Sequence, residues 1–166
     1  MSSDTNQTAV AYFASGCFWG TQYYFEKAPG VLSTRTGFMG GRVNSPSYQQ
    51  VKTGQTGHLE LVEVIYDPDV TDYEALVRLF FETHNFTQTD GQGPDIGSQY
   101  LSAIFYLTED ELQIAKKYVD LLHEKGFEVA TALRKAETFW PAEDYHQHYY
   151  EKNGSTPYCH IYRKIF

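Results

Sequence analysis

Apolar and polar positions along this chain fall into short runs punctuated by glycine. Ala9-Val10-Ala11-Tyr12-Phe13-Ala14 is the first apolar run; it stops at Ser15-Gly16 and predicts a strand. Thr21 to Lys27 has no Gly or Pro before Pro29-Gly30, so a helix is expected there, with Cys17 at or just before its start. Val31 to Met39 reads as a second strand closed by Gly40-Gly41, and the chain is then loop-like to Gly57. Leu59, Leu61, Val62, Val64 and Ile65 mark a third strand, with Glu60 near its entry. Thr71-Asp72-Tyr73-Glu74 opens a helix whose apolar face is Leu76, Val77, Leu79, Phe80 and Phe81, running through Thr83. A second long loop, His84 to Gln99, precedes a strand predicted from Tyr100 to Leu107. Thr108-Glu109-Asp110-Glu111 is a capping box for a helix reaching about Gly126, and Phe127 to Glu137 alternates loosely enough for a last strand.

The resulting order is β-α-β-β-α-β, followed by a helix, a strand and a tail. It fits a split β-α-β core of the ferredoxin-like kind, an α+β two-layer sandwich. Residues 1–8 read as a loose, disordered leader, residues 9–166 as one domain, and residues 140–166 as an aromatic, irregular tail.

With 166 residues the chain can bury a core without disulfide staples. A net charge of -8 argues against a nucleic-acid surface and against docking on anionic membranes. No apolar run approaches the roughly 20 residues that span a bilayer. The N-terminus lacks the basic and apolar regions of a signal peptide. Two cysteines, Cys17 and Cys159, are too few for a secreted disulfide framework, so a reducing, cytoplasmic setting is expected. A monomer is expected as well.

The chemistry concentrates at Gly16-Cys17-Phe18-Trp19-Gly20. A cysteine at a helix start sits among unpaired amides and the positive end of the dipole, a setting that favours the thiolate. A buried structural cysteine fits the same position. Glu60 lies inside an apolar strand; such a carboxylate usually faces solvent, but in an aromatic-lined pocket desolvation would make it a proton donor near neutral pH. Tyr48 and Tyr100, each an ordinary core or surface residue by itself, could with Glu60 aim several O–H donors at one substrate oxygen. Asp95, His58, His146, His148 and His160 complete the candidates. The spacing of the histidines around Cys159 makes a poor zinc site.

Several motifs in order resemble the A-class peptide methionine sulfoxide reductases. They are Gly16-Cys17-Phe18-Trp19-Gly20, Thr36-Gly37-Phe38-Met39-Gly40-Gly41, Pro46-Ser47-Tyr48, Thr53-Gly54-Gln55-Thr56-Gly57-His58-Leu59-Glu60, Gln92-Gly93-Pro94-Asp95-Ile96-Gly97-Ser98-Gln99-Tyr100 and Trp140-Pro141-Ala142-Glu143-Asp144-Tyr145-His146-Gln147. The resemblance implies reduction of the S epimer of methionine sulfoxide, free or in proteins, as repair of oxidative damage. It implies that Cys17 attacks the sulfoxide sulfur, that Glu60 protonates its oxygen, and that Tyr48 and Tyr100 donate hydrogen bonds to that oxygen. Phe18 and Trp19 then form the pocket for the S-methyl group, and Asp95 orders the site. Cys159 becomes the resolving cysteine that converts a Cys17 sulfenic acid to a disulfide, with thioredoxin or another dithiol as reductant and no resident cofactor.

The chain departs from the family pattern at Phe38-Met39, where tyrosine and alanine are frequent, and at Lys52, a cysteine in many members. Asn85-Phe86, Gly91 and Pro94 also differ, and the tail has one cysteine where some members have two, so a two-cysteine cycle is expected. Two other readings compete. One is a cysteine hydrolase or acyltransferase pairing Cys17 with His58 or His146; the other is a non-catalytic module whose aromatic pocket binds peptides.

Overall fold

The computed structural model describes residues 8–149 and 162–166. The first residues of the expected leader, and Cys159 in the tail, lie outside the described residues. The chain forms β1 (Ala9–Ser15), α1 (Phe18–Glu26), β2 (Val31–Met39), α2 (Tyr48–Lys52), β3 (Leu59–Tyr66), α3 (Tyr73–Glu82), β4 (Gly91–Gln92), β5 (Asp95–Ile96), β6 (Ser102–Tyr106), α4 (Glu109–Glu124), β7 (Ala132–Lys135) and β8 (Trp140–Pro141). Among the described residues there are also two short 3-10 turns, Ser98–Tyr100 and Asp144–His146. This is a mixed α+β fold. Its six-stranded sheet runs in the order β7-β6-β1-β3-β2-β8, and β4 and β5 make a separate hairpin. Every neighbouring pair in the large sheet is antiparallel except β6 and β7. No helix among the described residues is long and apolar enough to cross a membrane.

The period-2 alternation of side chains explains how the sheet is covered. Ala11 and Phe13 of β1, Val62 and Val64 of β3, Phe38 of β2 and Ile104 of β6 share one face. Phe18 and Phe25 of α1, Leu76, Val77, Phe80 and Phe81 of α3, and Tyr118 and Leu122 of α4 pack onto it. The opposite face carries Ala14, Met39, Leu59, Leu61, Ala103 and Phe105, covered by Leu101, Ala136 and Phe139. Burial on both faces is why β3 reads as a nearly unbroken apolar run instead of alternating. Its two acids go to opposite sides. Glu63 lies on the Leu59–Leu61 side, where Arg35 Nε donates to it at 2.8 Å and the Tyr12 hydroxyl at 3.1 Å. Glu60 shares the parity of Val62 and Val64 and so points toward the helices.

Four expectations need correction. The stretch from Gly41 to Gly57 is not all loop: Ser47 accepts from Gln50 N–H, Gln50 answers to Ser47 N–H, and this capping box starts the short α2. Tyr100 is on a 3-10 turn closed by its amide on Gly97 O, and the strand begins only at Ser102. The last strand is restricted to Ala132–Lys135, because Ala130 N–H is taken by Phe86 O and Phe127 is drawn against the core. The tail is regular where it starts, since Trp140 and Pro141 pair with Phe38 and Gly37 at the free edge of β2. Gln147 prolongs that pairing with its side chain: Thr36 N–H donates to its Oε1 at 2.9 Å and its Nε2 donates to Thr36 O at 3.1 Å.

Candidate active site

Gly16 makes the corner between β1 and α1. Its φ of +96° suits glycine, and a Cβ there would stand 2.5 Å from Gln92 Cβ, so both backbone shape and space require glycine. The corner places Cys17 at the N-cap of α1, as the sequence predicts, with a side chain that leaves the residue only 6 % exposed. Its carbonyl accepts from Gly20 and Thr21 amides and so begins the helix.

Glu60 comes to the same place from β3. Phe18 N–H, the amide after Cys17, donates to Glu60 Oε1 at 3.2 Å. Oε2 is buried and has no hydrogen-bond partner among the described residues, and the residue as a whole is 1 % exposed. Burial pushes the Glu60 carboxyl up to about 8; the Phe18 amide opposes this and the nearby charge of Asp95 adds to it. Glu60 is therefore a carboxylic acid at neutral pH. The residue opposite it in the β2–β3 register is Phe38, which supplies an apolar neighbour in place of a hydroxyl.

Tyr100 and Asp95 arrive from the hairpin and its following turn. Burial first, then the charges of Glu60, Cys17 and Asp95, push the Tyr100 phenol up to about 12, so the hydroxyl stays a donor. Those mutual influences place Cys17, Glu60, Asp95 and Tyr100 in one neighbourhood.

On the other side stands an aromatic wall. Phe18 is fully buried, its ring 5.5 Å from Phe38 and 6.1 Å from Tyr48. Trp19 is half-buried and lies flat against Tyr149, with centroids 3.8 Å apart and planes 7° apart. Tyr48 opens α2, where its amide donates to Glu143 Oε1 at 3.3 Å. His146 joins these rings at 4.1 Å from Tyr48, 5.4 Å from Phe18 and 5.7 Å from Trp19. The sequence singled out His146 only as a potential base or ligand. The signal for its place in the wall was its position beside Trp140 and Gln147, both of which fasten to β2.

Cys17, Glu60, Tyr48, Tyr100, Asp95, Phe18 and Trp19 thus come together from five separate segments. Two histidines take other work. His58 Nδ1 accepts from Gly41 N–H at 3.0 Å and its Nε2 lies 2.7 Å from Val43 O, so both ring nitrogens hold the loop after β2. His146 Nδ1 accepts the Trp19 indole N–H at 3.0 Å. Both ring nitrogens of His58, and Nδ1 of His146, are thus engaged by Gly41, Val43 and Trp19 and are not offered as a base for a cysteine–histidine hydrolase. His148, further on, has its Nδ1 2.5 Å from Glu26 Oε2.

Residues 9–166 match the family model described as peptide methionine sulfoxide reductase. The chain is 47% identical over 158 residues to the peptide methionine sulfoxide reductase MsrA of Methanothermobacter thermautotrophicus, covering 93% of each chain. Among solved structures it is similar to Mxr1 from Saccharomyces cerevisiae in reduced form, with a TM-score of 0.88 and 31% identity over 95% of this chain and 93% of that one. The same yeast protein in complex with Trx2 aligns with a TM-score of 0.63 and 21% identity, over 98% of this chain and 95% of that chain.

Proposed function

The chain belongs to the peptide methionine sulfoxide reductase family, and on that premise we propose that it reduces the S epimer of methionine sulfoxide, free or in proteins, to methionine. The observation that carries the reading is a neutral, fully buried carboxylic acid bonded to the amide next to a helix-capping cysteine. A sulfoxide oxygen leaves poorly until it is protonated, so the reaction needs an acid and a sulfur nucleophile together. The Cys17 thiolate attacks the sulfoxide sulfur while Glu60 Oε2–H gives its proton to the oxygen, and the Tyr48 and Tyr100 hydroxyls donate to that oxygen. Phe18 and Trp19 receive the S-methyl group, and Asp95 orders the groups around Glu60. The substrate's sulfur–oxygen bond breaks as the protonated oxygen bonds to Cys17 Sγ and the transient sulfur–sulfur bond cleaves. Methionine leaves with the two electrons of that sulfur–sulfur bond, and Cys17 is left oxidised as a sulfenic acid.

The Cys159 thiol then displaces that oxygen as water and forms a Cys17–Cys159 disulfide, and thioredoxin or another dithiol reduces it by exchange. In this chain Cys159 is the only other cysteine. The yeast relative's complex with Trx2 supports thioredoxin as reductant. Residues 9–166 are read as a single catalytic domain built on a ferredoxin-like core, supported by the β6-β1-β3-β2 order at the centre of the sheet. The reading also includes a monomer in a reducing cytoplasm, which light scattering at 19.0 kDa would support for the first part.

The test uses the separated S and R epimers with dithiothreitol. Only the S epimer is expected to disappear; loss of neither would sink the proposal. With thioredoxin, Cys159→Ser should still carry out one stoichiometric reduction and then stop. Undiminished steady turnover would count against Cys159 as the resolving thiol.

A further inference from the structure

We propose that Lys52 is a specificity-determining residue that attracts a carboxylate on the substrate, either the α-carboxylate of methionine sulfoxide itself or an acidic side chain beside it in a protein. This rests on the reading of Tyr48 and Tyr100 as donors to the sulfoxide oxygen. Lys52 closes the short α2 that Tyr48 opens, so the two side chains lie one above the other, four positions apart. The Lys52 ammonium stands 6.0 Å from the centre of the Tyr48 ring. Lys52 is exposed, and among the described residues it forms no ion pair.

The backbone fixes where that charge sits. Lys52 O accepts from Gln99 Nε2 at 3.3 Å, and two residues further on Gly54 O accepts from the Ser98 hydroxyl at 3.4 Å. Ser98 and Gln99 belong to the 3-10 turn that ends in Tyr100. Lys52 is therefore held at the seam between the segment carrying Tyr48 and the segment carrying Asp95 and Tyr100, on the rim of the pocket.

Charge gives this rim a direction. At the other end of α2 the exposed Glu143 takes the Tyr48 amide on its Oε1 at 3.3 Å, and Asp95 lies on the hairpin. The chain as a whole carries a net charge of -8. A carboxylate entering between α2 and the hairpin is repelled by Glu143 and Asp95 and turns toward Lys52. The lysine's flexible stem and three donors let it move from the face of Tyr48 onto that carboxylate. A substrate with a neutral amide in the same place forfeits the attraction.

Two matched pairs of substrates isolate the charge. The first sets the S-sulfoxide of N-acetylmethionine against its amide. The second sets an end-blocked tripeptide with aspartate after the methionine sulfoxide against the same peptide with asparagine. In each pair the readout is kcat/KM for the charged member over the neutral one, measured at low salt with dithiothreitol. Lys52→Met should lower that ratio about 3- to 5-fold in at least one pair, and Lys52→Glu about tenfold or more, while Lys52→Arg should stay within about twofold of wild type. A fall in the first pair assigns the α-carboxylate, and a fall in the second assigns the acidic neighbour. Raising the salt to about 0.5 M should bring wild type to within about twofold of Lys52→Met. Lys116→Met removes the same charge from the exposed side of α4 and should leave both ratios unmoved.

Ratios unmoved by Lys52→Met in both pairs would overturn the proposal. So would an equal fall in Lys116→Met, which would trace the effect to net charge, or a loss in Lys52→Arg as large as that in Lys52→Met. Urea midpoints check that each variant keeps its fold. Binding of the four corresponding methionine compounds, followed through the indole N–H resonance of Trp19, gives the same charged-over-neutral comparison without turnover. Lys52 is thereby tested even if the wild type reduced none of the sulfoxides, an outcome that would refute the assigned reaction instead.

Discussion

Replacing Glu60 by glutamine tests the central chemical claim, because the change keeps the shape and removes the proton. Burial raises this carboxyl from 4.5 to about 8. At pH 7 the group is therefore about nine-tenths protonated, and Glu60→Gln should lower the first reduction step by about 100- to 10,000-fold, the usual worth of a positioned general acid. The wild-type rate of that step should fall as pH rises through about 8, and the variant should lack that limb. Stability provides a second, independent reading. The folded protein holds the Glu60 proton up to about pH 8, while the unfolded chain releases it near 4.5. Between those values the native state binds more protons, so wild-type stability relative to the variant is highest below pH 4.5 and is lost as pH rises. Between pH 5 and pH 9 the variant should gain about 4 kcal/mol on the wild type, at about 1.36 kcal/mol per unit. Single-turnover quenched flow on the S epimer measures the first effect, and urea midpoints at the two pH values measure the second. A variant within tenfold of wild type in the first turnover would refute Glu60 as the acid. A stability difference that does not move with pH would refute its burial as a neutral group.

Gly16→Ala forces a side chain onto φ +96° and into Gln92 Cβ, and should cost about 2 to 4 kcal/mol by denaturant unfolding, with slower alkylation or reduction chemistry at Cys17. Tyr48→Phe and Tyr100→Phe should each lower single-turnover kcat/KM by about tenfold while leaving the urea midpoint nearly unchanged; no loss in either would remove that hydroxyl from the reaction. Glu82 Oε2 accepts the amides of Ile165 and Phe166, at 2.8 and 3.2 Å. Glu82→Ala should therefore speed exchange of those two amides by about tenfold or more, with strand amides of β1 and β3 protected as before.

Much of this was legible from residue pattern. Glycine punctuation located β1, β2 and the start of α1, and the capping residue Thr108 located α4, because those signals are local. Glu60 shows how far such reading reaches. Its parity with Val62 and Val64 is in the sequence, but whether that parity means solvent or core depends on what covers the sheet, and that is a long-range fact. The Ser47-to-Gln50 capping box was equally visible but too short to stand out from a glycine-rich loop. Trp140 and Gln147 were harder, since their partners are more than a hundred residues away on β2 and one of the two pairings runs through a side chain. His146 followed from them: a histidine in an aromatic segment has no local signature for stacking on Tyr48.

The Thr36–Gln147 pairing has a meaning beyond the reaction. Without β8 and that carboxamide, β2 would offer a row of bare backbone groups, and an uncovered strand is a template on which another chain can add. At the other end the sheet stops in the short β7, where Arg134 and Lys135 discourage such addition. A protein that works where oxidised, partly unfolded neighbours accumulate is surrounded by chains able to exploit an open strand. One glutamine side chain therefore helps both to hold the site histidine and to keep the enzyme from joining the aggregates of the proteins it would repair.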